Sequence, residues 1–408
     1  MLNRKACFRI LRIVCLFSLT WAGVLTLPSK PAGGAALYQS ADSQITLRLK
    51  PDKSIDRICN AYGAYVIARI PGTNDFLLGV HPGIDPAICL ARIQDDSDVE
   101  FSDWNNSFEA PEVRQVSQAF IDSTQLPFIQ GTSPNNLYSQ PWMNLVSMAE
   151  AQQVIRGNGV RVAVIDTGVD YNHPFFAGKL IGPYWDFVDN DGDPMDEPGG
   201  VGTGHGTFVA SLISLIAPDA MILPIRAFDA SGRGTSFHVA WAIRYAVDNG
   251  AKVINMSFGL AREDKLIRSA LDYAHKKAFM VASAGNSALK LLEYPAKQTD
   301  RVFSVAATTN QDTFAPFSNY TDKLDMIAPG DNLYGAYPGG LWAKWSGTSF
   351  SAALVSGGAA LILSRFPMIK VESELPDRLL KNSDILKDVI VPLKRDGRRV
   401  DFYRAVAR

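Results

Sequence analysis

Four residues of this chain are of the types that together hydrolyse acyl bonds, and each lies beside an apolar run. Asp166 ends VRVAVID, His205 lies in GTGHGTFVAS, Asn286 follows FMVASAG, and Ser349 lies in SGTSFSAALVSG. A serine hydroxyl attacks a carbonyl when an imidazole takes its proton and a carboxylate orients that imidazole. An amide N–H stabilises the oxyanion that forms. The sequence therefore contains a candidate nucleophile, base, orienting carboxylate and oxyanion donor.

Each residue also has an ordinary structural interpretation. Asp166 is of the type that caps helices, His205 could be a first-turn helix residue, and Asn286 could form a turn with the next serine. The chain order of carboxylate, imidazole and hydroxyl favours the catalytic interpretation, because it is one of three orders known for such triads. We interpret Ser346 and Ser351 as bystanders, since one precedes the turn and the other lies within the helix.

These residues must be positioned by the elements around them, which alternate between strands and helices from residue 141 onwards. Near-continuous apolar strands separated by helices indicate a parallel sheet covered on both faces. Chemistry in such sheets gathers at the carboxyl ends of the strands. We therefore predict an α/β fold with a doubly wound, mostly parallel sheet over residues 141–408. The strand candidates are VRVAVID, MILPIRAF, KVINMSF, FMVASAG and VFSVAAT, and the helix candidates are HGTFVASLISLI, SFHVAWAIRYAVDNG and EDKLIRSALDYAHKKA.

A second, smaller domain is predicted ahead of this sheet. Residues 44–105 show the order β-α-β-β-α-β, which is that of the α+β ferredoxin-like motif. Cys59 and Cys89 fall one on each predicted helix, so a disulfide and a pair of free thiols are both open alternatives. Periodicity fades over residues 107–140, which we interpret as a linker or joining arm.

The N-terminus has the three-part pattern of a secretory signal peptide. MLNRKACFRILR is basic, IVCLFSLTWAGVLTL is an apolar run of 15 residues, and small residues follow up to a cleavage site after Ala36. A retained membrane anchor is the alternative, although the run is short for a span of about 20 residues. We predict that residues 1–36 are a signal peptide and that the protein is secreted or periplasmic. A net charge of −1 without a long basic run argues against nucleic-acid binding.

The motifs around the four residues resemble those of subtilisin-like serine proteases, over residues 140–408. They include VAVIDTGVD, GHGTFVAS, SAGN and SGTSFSAALVSG, with INMSFG, YPA and IAPG at the expected places. The resemblance implies a serine endopeptidase in which Ser349 attacks the scissile carbonyl, His205 transfers the proton and Asp166 orients the imidazole. It also implies that Asn286 and the backbone N–H of Ser349 bind the oxyanion, and that polypeptides are the substrates.

The same resemblance implies where a substrate polypeptide binds. One segment pairs with the extended substrate backbone, and another forms a wall of the primary specificity pocket. The wall residues are small and neither segment contains an acidic residue, which favours medium or large apolar side chains before the cut bond. The two segments are Ser257, Phe258 and Gly259, and Ala282, Ser283, Ala284 and Gly285.

Residues 37–106 resemble, more loosely, the propeptide of the same family. This implies a zymogen whose N-terminal domain assists folding and acts as an intramolecular inhibitor, until the chain is cut between residues 105 and 140. An unrelated accessory domain is the alternative.

No cofactor is expected for catalysis. Many relatives carry a calcium-binding aspartate just after the HP that follows the catalytic aspartate, and this chain has Phe175 there. The acidic stretch WDFVDNDGDPMDE lacks the spaced glutamate of a calcium loop, so an exposed acidic turn is favoured over a structural calcium site. The aspartates of this stretch are Asp186, Asp189, Asp191, Asp193 and Asp196.

Two other functions are alternatives to a secreted endopeptidase. A catalytically silent relative would serve as a binding or scaffold protein, but all four catalytic positions are filled. A nucleotide-binding α/β domain would need a glycine-rich phosphate loop after the first strand, and DTGVDYN is neither G-x-G-x-x-G nor a P-loop. The endopeptidase hypothesis is therefore favoured.

Overall fold

The computed structural model describes residues 43–112, 127–134, 137–260, 262–390, 393 and 395–407. The predicted signal peptide and part of the predicted linker lie outside the described residues. Within these ranges, no helix combines the length and the apolar character that crossing a bilayer requires.

The N-terminal part is a four-stranded antiparallel sheet with two helices, in the predicted β-α-β-β-α-β order. Ser54 and Asp85 each cap a helix by accepting a hydrogen bond from a first-turn backbone N–H. Leu47, Ile58 and Leu78 lie in the small core that the sheet and helices enclose. The elements are β1 (Ile45–Leu49), α1 (Ile55–Tyr62), β2 (Ala64–Arg69), β3 (Asp75–Val80), α2 (Pro86–Gln94) and β4 (Val99–Trp104), with the sheet order β2-β3-β1-β4.

The two cysteines of this part are free thiols, so the structure contains the free-thiol alternative. Cys59 lies on α1 and Cys89 on α2. Burial raises the pKa of both thiols, and the Cys89 thiol donates a hydrogen bond to the backbone oxygen of Tyr62 across 3.4 Å.

A nine-stranded sheet forms the centre of the remaining chain. Its strands are β7 (Arg161–Asp166), β8 (Trp185–Asp186), β9 (Met221–Arg226), β11 (Val253–Met256), β12 (Phe279–Ser283), β13 (Val302–Thr308), β14 (Met326–Pro329), β17 (Asp384–Ile390) and β18 (Arg395–Arg399). In the order β17-β18-β14-β13-β12-β11-β7-β9-β8, every neighbouring pair is parallel except β17 with β18. The predicted doubly wound, mostly parallel sheet is confirmed.

Helices cover both faces of this sheet. The helices are α3 (Trp142–Leu145), α4 (Met148–Val154), α5 (His205–Ile216), α6 (Ser236–Asp248), α7 (Lys265–Ala274), α8 (Thr348–Arg365), α9 (Glu374–Lys381) and α10 (Phe402–Ala407). Val162 and Val164 of β7 pack in one core with α5 and α8, whereas Ala163 and Ile165 pack in the other with α6 and α7, as alternation along a strand requires.

Small residues bring α5 and α8 together, and these helices carry His205 and Ser349. A Cβ atom on Gly357 of α8 would lie 2.6 Å from the Cβ atom of Ile216 on α5, so only glycine fits at this contact. The contact fixes the two helices relative to each other within a close-packed core.

The residues interpreted as a linker include two short strands. They are β5 (Ser107–Glu109), which pairs with β10 (Arg233–Thr235), and β6 (Phe128–Gly131), which pairs with β16 (Leu341–Trp345). β16 also pairs with β15 (Leu333–Tyr337). Both short strands are stabilised by partners that are distant in the sequence, which explains why local periodicity did not indicate them.

Candidate active site

Asp166 and His205 are joined by a direct hydrogen bond. Asp166 is the last residue of β7, and His205 is the first residue of α5. His205 Nδ1 donates to Asp166 Oδ1 across 2.7 Å, and the backbone N–H of Thr167 donates to the same oxygen across 2.8 Å. Both side chains are buried, so the carboxylate fixes the orientation of the imidazole.

The glycines on either side of His205 are required by the backbone. Gly204 has a φ of 88°, in the left-handed region that side chains disfavour. A Cβ atom on Gly206 would lie 2.1 Å from the backbone oxygen of Gly168, just beyond β7. The GHG sequence therefore lets the start of α5 approach the end of β7 closely.

Asp196 holds the start of α5 in place. Its Oδ1 accepts from the backbone N–H of Gly204 across 2.9 Å, and its Oδ2 accepts from the N–H and the Oγ1 of Thr207 across 3.0 and 2.6 Å. The carboxylate thus serves first-turn N–H groups that have no partner within the helix. Burial raises the pKa of Asp196 to about 7, although its hydrogen bonds act in the opposite direction. Asp196 is therefore a positioning residue for His205.

Asn286 and the N-terminus of α8 form a pair of donors beside Ser349. Asn286 Oδ1 accepts from the backbone N–H of Thr348 across 2.9 Å and from its Oγ1 across 2.7 Å. These two bonds leave Asn286 Nδ2 as a donor beside the backbone N–H of Ser349, the second residue of α8. An anion at this position meets an amide, a backbone donor and the positive end of a helix dipole.

The side chain of Glu112 occupies this anion position. Its Oε1 accepts from Asn286 Nδ2 across 2.9 Å and from the backbone N–H of Ser349 across 3.3 Å. Its Oε2 accepts from His205 Nε2 across 2.9 Å and from Ser349 Oγ across 2.8 Å. One buried carboxylate therefore engages the candidate base, the candidate nucleophile and both oxyanion donors.

The charges of the site agree with this arrangement. Burial by itself lowers the pKa of His205, but the carboxylates of Asp166 and Glu112 outweigh it and raise the pKa to about 10. Burial acts to raise the pKa of Glu112, but the charge of His205 and the hydrogen bonds from His205, Asn286 and Ser349 lower it. His205 is therefore an imidazolium with a carboxylate on each ring nitrogen, and it cannot accept the proton of Ser349.

Residues 107–112, which we call the cleft segment, lead to the site as an added strand. On one side β5 pairs antiparallel with β10, and the backbone N–H of Ala110 donates to the oxygen of Gly232 across 3.1 Å. On the other side the N–H of Gly259 donates to the backbone oxygen of Glu109 across 3.2 Å. Backbone pairing on both sides is how an extended polypeptide binds to strand edges, whatever its side chains.

Ser257 and Phe258 also contact the cleft segment or Ser349. Phe108 is 1% exposed, and its ring packs edge-on against that of Phe258, with centroids 6.0 Å apart. Ser257 Oγ donates to the backbone oxygen of Ser349 across 3.2 Å. The predicted substrate-backbone segment therefore lies between the cleft segment and Ser349.

The four predicted wall residues differ in how close they lie to Ser349. Ala282 and Ser283 end β12 and are buried in the sheet, and Ala284 follows them with no exposed surface. Gly285 lies next to the site, because its backbone N–H donates to Thr348 Oγ1 across 3.1 Å.

A large part of the chain is similar to known proteins. Residues 157–398 match the profile described as the Subtilase family. The chain belongs to this family. It is 38% identical over 231 residues to thermitase from Thermoactinomyces vulgaris, an alignment that covers 54% of this chain and 80% of thermitase. It is also 38% identical over 264 residues to the thermophilic serine proteinase of Bacillus sp. (strain AK1), covering 59% of this chain and 64% of that protein. The crystal structure of a cold adapted subtilisin-like serine proteinase superposes with a TM-score of 0.55 at 31% identity, covering 60% of this chain and 90% of that one.

The acidic stretch of this subtilase surrounds an arginine. Arg226 donates to Asp186, to Asp189 across 2.6 Å and to Glu197 across 2.8 Å. Asp186 is 1% exposed and Asp196 is 2% exposed, so the expectation of an exposed turn is wrong for these two residues. They are buried because each satisfies donors inside the protein.

The structure offers no metal-binding cluster in the ranges it describes, where no three His, Cys, Asp or Glu side chains are grouped to hold an ion. Phe175, at the place of the expected calcium ligand, packs edge-on against Phe176 and Trp342 with ring centroids 5.3 and 5.8 Å away.

Three residues that contribute to the site were missed from the sequence. Asp196 lies in the acidic stretch, but nothing in its spacing distinguished it from its neighbours. Thr348 precedes Ser349 in the GTS sequence, and its role depends on Asn286 being opposite. Glu112 lies where periodicity fades, and no local pattern connects it with His205.

Proposed function

We propose that this subtilase is a serine endopeptidase that hydrolyses peptide bonds through an acyl-enzyme intermediate on Ser349. Asp166, His205 and Ser349 are the triad, and Asn286 is the oxyanion donor. The observation that carries the proposal is the convergence of His205, Asn286 and Ser349 on one anion, at distances of 2.8–3.3 Å.

The reaction follows once Glu112 leaves the site. Without this second carboxylate, the pKa of His205 falls and its Nε2 can accept the proton of Ser349 Oγ. The Oγ atom then attacks the scissile carbonyl, whose oxygen becomes an anion bound by Asn286 Nδ2 and the N–H of Ser349. His205 gives its proton to the leaving amine, and a water molecule repeats the sequence to release the acyl group. Asp166 stabilises the imidazolium in both halves.

We further propose that the chain is made as a zymogen, with residues 37–106 as the propeptide domain and the cleft segment as the part that blocks the site. The cleft segment is paired on both backbone edges, and Glu112 holds His205 protonated. Cutting the chain between residues 105 and 140 would allow the N-terminal part to dissociate.

We also propose that the protein is exported. Residues 1–36 are the signal peptide, and the mature protease is secreted or periplasmic and free of the membrane once that signal is removed. Its partners are polypeptide substrates and its own propeptide, and nucleic acids are not among them.

The test is active-site labelling of the purified, processed protein with a fluorophosphonate, together with hydrolysis of a peptide library. Ser349→Ala should abolish the labelling and lower turnover by several orders of magnitude, leaving only residual catalysis by the oxyanion donors. Ser351→Ala is the matched control, because Ser351 Oγ donates to the backbone oxygen of Ala328 within the core. Processed protein that neither labels at Ser349 nor cleaves any peptide would instead support a silent binding protein.

A further inference from the structure

Glu293 places a carboxylate between two glycines of the site. Glu293 is 4% exposed. A Cβ atom on Gly259 would lie 2.2 Å from its Oε2, and a Cβ atom on Gly285 would lie 2.9 Å from its Cδ and 3.0 Å from its Oε1. Because side chains cannot approach so closely, both positions must be glycine for the carboxylate to lie there. The Glu293 carboxylate therefore lies against the backbone of both glycines.

Both glycines belong to the parts of the site that hold a substrate. Gly259 pairs with the backbone of Glu109 in the cleft segment. Gly285 immediately precedes Asn286 and donates to Thr348, the residue before Ser349. The carboxylate of Glu293 thus lies between the strand that binds the polypeptide backbone and the loop that carries the oxyanion donor.

We propose that Glu293 is the specificity-determining residue of the primary pocket and selects a lysine or arginine side chain immediately before the cut bond. The inference rests on the proposed endopeptidase function and names its substrate class. A carboxylate accepts hydrogen bonds but donates none, and guanidinium and ammonium groups are its strongest donors. An apolar side chain beside the carboxylate would bury its charge further without offering it a hydrogen bond, which is unfavourable.

This inference revises the expectation of an apolar pocket. That expectation considered only the segments 257–259 and 282–285, which contain no acidic residue. Glu293 comes from a third segment, 293 − 286 = 7 residues after Asn286. Its backbone N–H donates to the oxygen of Ala284 across 3.4 Å, which ties this segment to the wall.

The sequence around the expected precursor cut contains a matching residue. Between residues 105 and 140, Arg114 is the one lysine or arginine. If the protease processes its own precursor with the same preference, the bond after Arg114 is its substrate, and the mature chain begins at Gln115.

The experiment uses the processed protein and peptide substrates that differ only in the residue before the cut bond. We expect kcat/KM for arginine and lysine to exceed that for leucine and phenylalanine by about 10-fold to 100-fold, the range for a hydrogen bond to a charged group. Glu293→Gln, which keeps the size but removes the charge, should bring this ratio close to one. Benzamidine, a small guanidinium-like cation, should inhibit the wild type competitively and the variant much less.

Several results would overturn the inference. The inference is wrong if the wild-type protein cleaves after leucine or phenylalanine as fast as after arginine. This comparison does not depend on whether Glu293→Gln folds. An unchanged ratio in a folded Glu293→Gln protein would overturn the inference as well. Glu150→Gln, on the exposed side of α4, is the control and should leave the ratio unchanged. Failure of the proposed function looks different, since no peptide would then be cut and Ser349 would not label.

Discussion

Replacing Glu112 by glutamine tests whether this carboxylate keeps the precursor inactive. Glutamine has the same shape, but it offers one acceptor oxygen where the carboxylate has two. Four donors now point at Glu112, from His205, Asn286 and Ser349. In the variant, the amide NH₂ group would face two of these donors, and the negative charge beside His205 would be lost. The cleft segment should therefore bind more weakly.

The size of the effect follows from the charge of His205. Raising its pKa from 6.5 to about 10 corresponds to about 5 kcal/mol in favour of the imidazolium. Asp166 is the larger contributor and Glu112 the second. Glu112 accepts a hydrogen bond from His205 Nε2 across 2.9 Å, and one hydrogen bond to a charged group is typically worth about 2 kcal/mol. We expect the cleft segment of Glu112→Gln to be released about 30-fold more readily.

The assay measures how fast a fluorophosphonate labels the full-length chain, separated on a gel from any processed product. Glu112→Gln should label about 30-fold faster than the wild type at pH 7. Glu109→Gln is the control, because it changes the same segment at a half-exposed side chain and leaves the backbone pairing intact. Equal labelling rates for wild type and Glu112→Gln would refute the idea that this carboxylate blocks the site.

The pH dependence of the same assay gives a second check, with a sign that can be stated in advance. The raised pKa of His205 means that its attraction to Glu112 is fully present below pH 6.5 and is lost as the pH rises through about 10. The lowered pKa of Glu112 means that its contribution is present above pH 4.5 and is lost as the pH falls further. Labelling of the wild-type precursor should therefore increase towards pH 10, and labelling of Glu112→Gln should increase at a lower pH.

Three further predictions concern the catalytic domain. Asn286→Ala in the processed protein should lower kcat by about 10²–10³-fold with little change in KM, the loss known for the corresponding donor in subtilisin, and an unchanged kcat would remove Asn286 from the oxyanion site. Burial raises the pKa of Asp196 from 3.8 to about 7, so the folded state keeps this proton to a higher pH than the unfolded state does. The free energy of unfolding should therefore fall by about 4 kcal/mol as the pH rises from 3.8 to about 7. In the inactive Ser349→Ala background, Asp196→Asn should flatten this part of the Tm profile, and an unaltered slope would contradict the assignment. Adding a chelator should leave Tm unchanged, since Phe175 stands where relatives have a calcium ligand, and a drop of several degrees would reveal a structural ion.

The elements that carry the triad could be predicted because their signals are local. The segment HGTFVASLISLI is helical over the same residues that α5 covers, and VRVAVID contains all of β7. Strong apolar runs bounded by glycine and aspartate define such elements without reference to the rest of the fold. The positions of Asp166 and His205 follow from the ends of these elements.

The remaining features depend on contacts between distant parts of the chain. The β17–β18 pair at the sheet edge, DILKDVI and RDGRR, alternates too little to indicate strands, and β18 lies beside β14, which comes about 70 residues earlier. Glu112 reaches His205 only because β5 inserts beside β10, which lies more than 100 residues further along the chain. Neither arrangement is encoded in a local period of the sequence.

The backbone pairing of the cleft segment also determines how the inhibited state responds to a single cut. While the chain is continuous, the segment faces its groove at an effective concentration of the order of millimolar, set by the tether and independent of how dilute the protein is. After the cut, the same contacts must compete with dilution, and at nanomolar protein even a micromolar affinity leaves most sites open. One hydrolytic event thus changes rebinding of the cleft segment from a unimolecular to a bimolecular step. Dilution after export would then favour the active protease without any change in the contacts themselves.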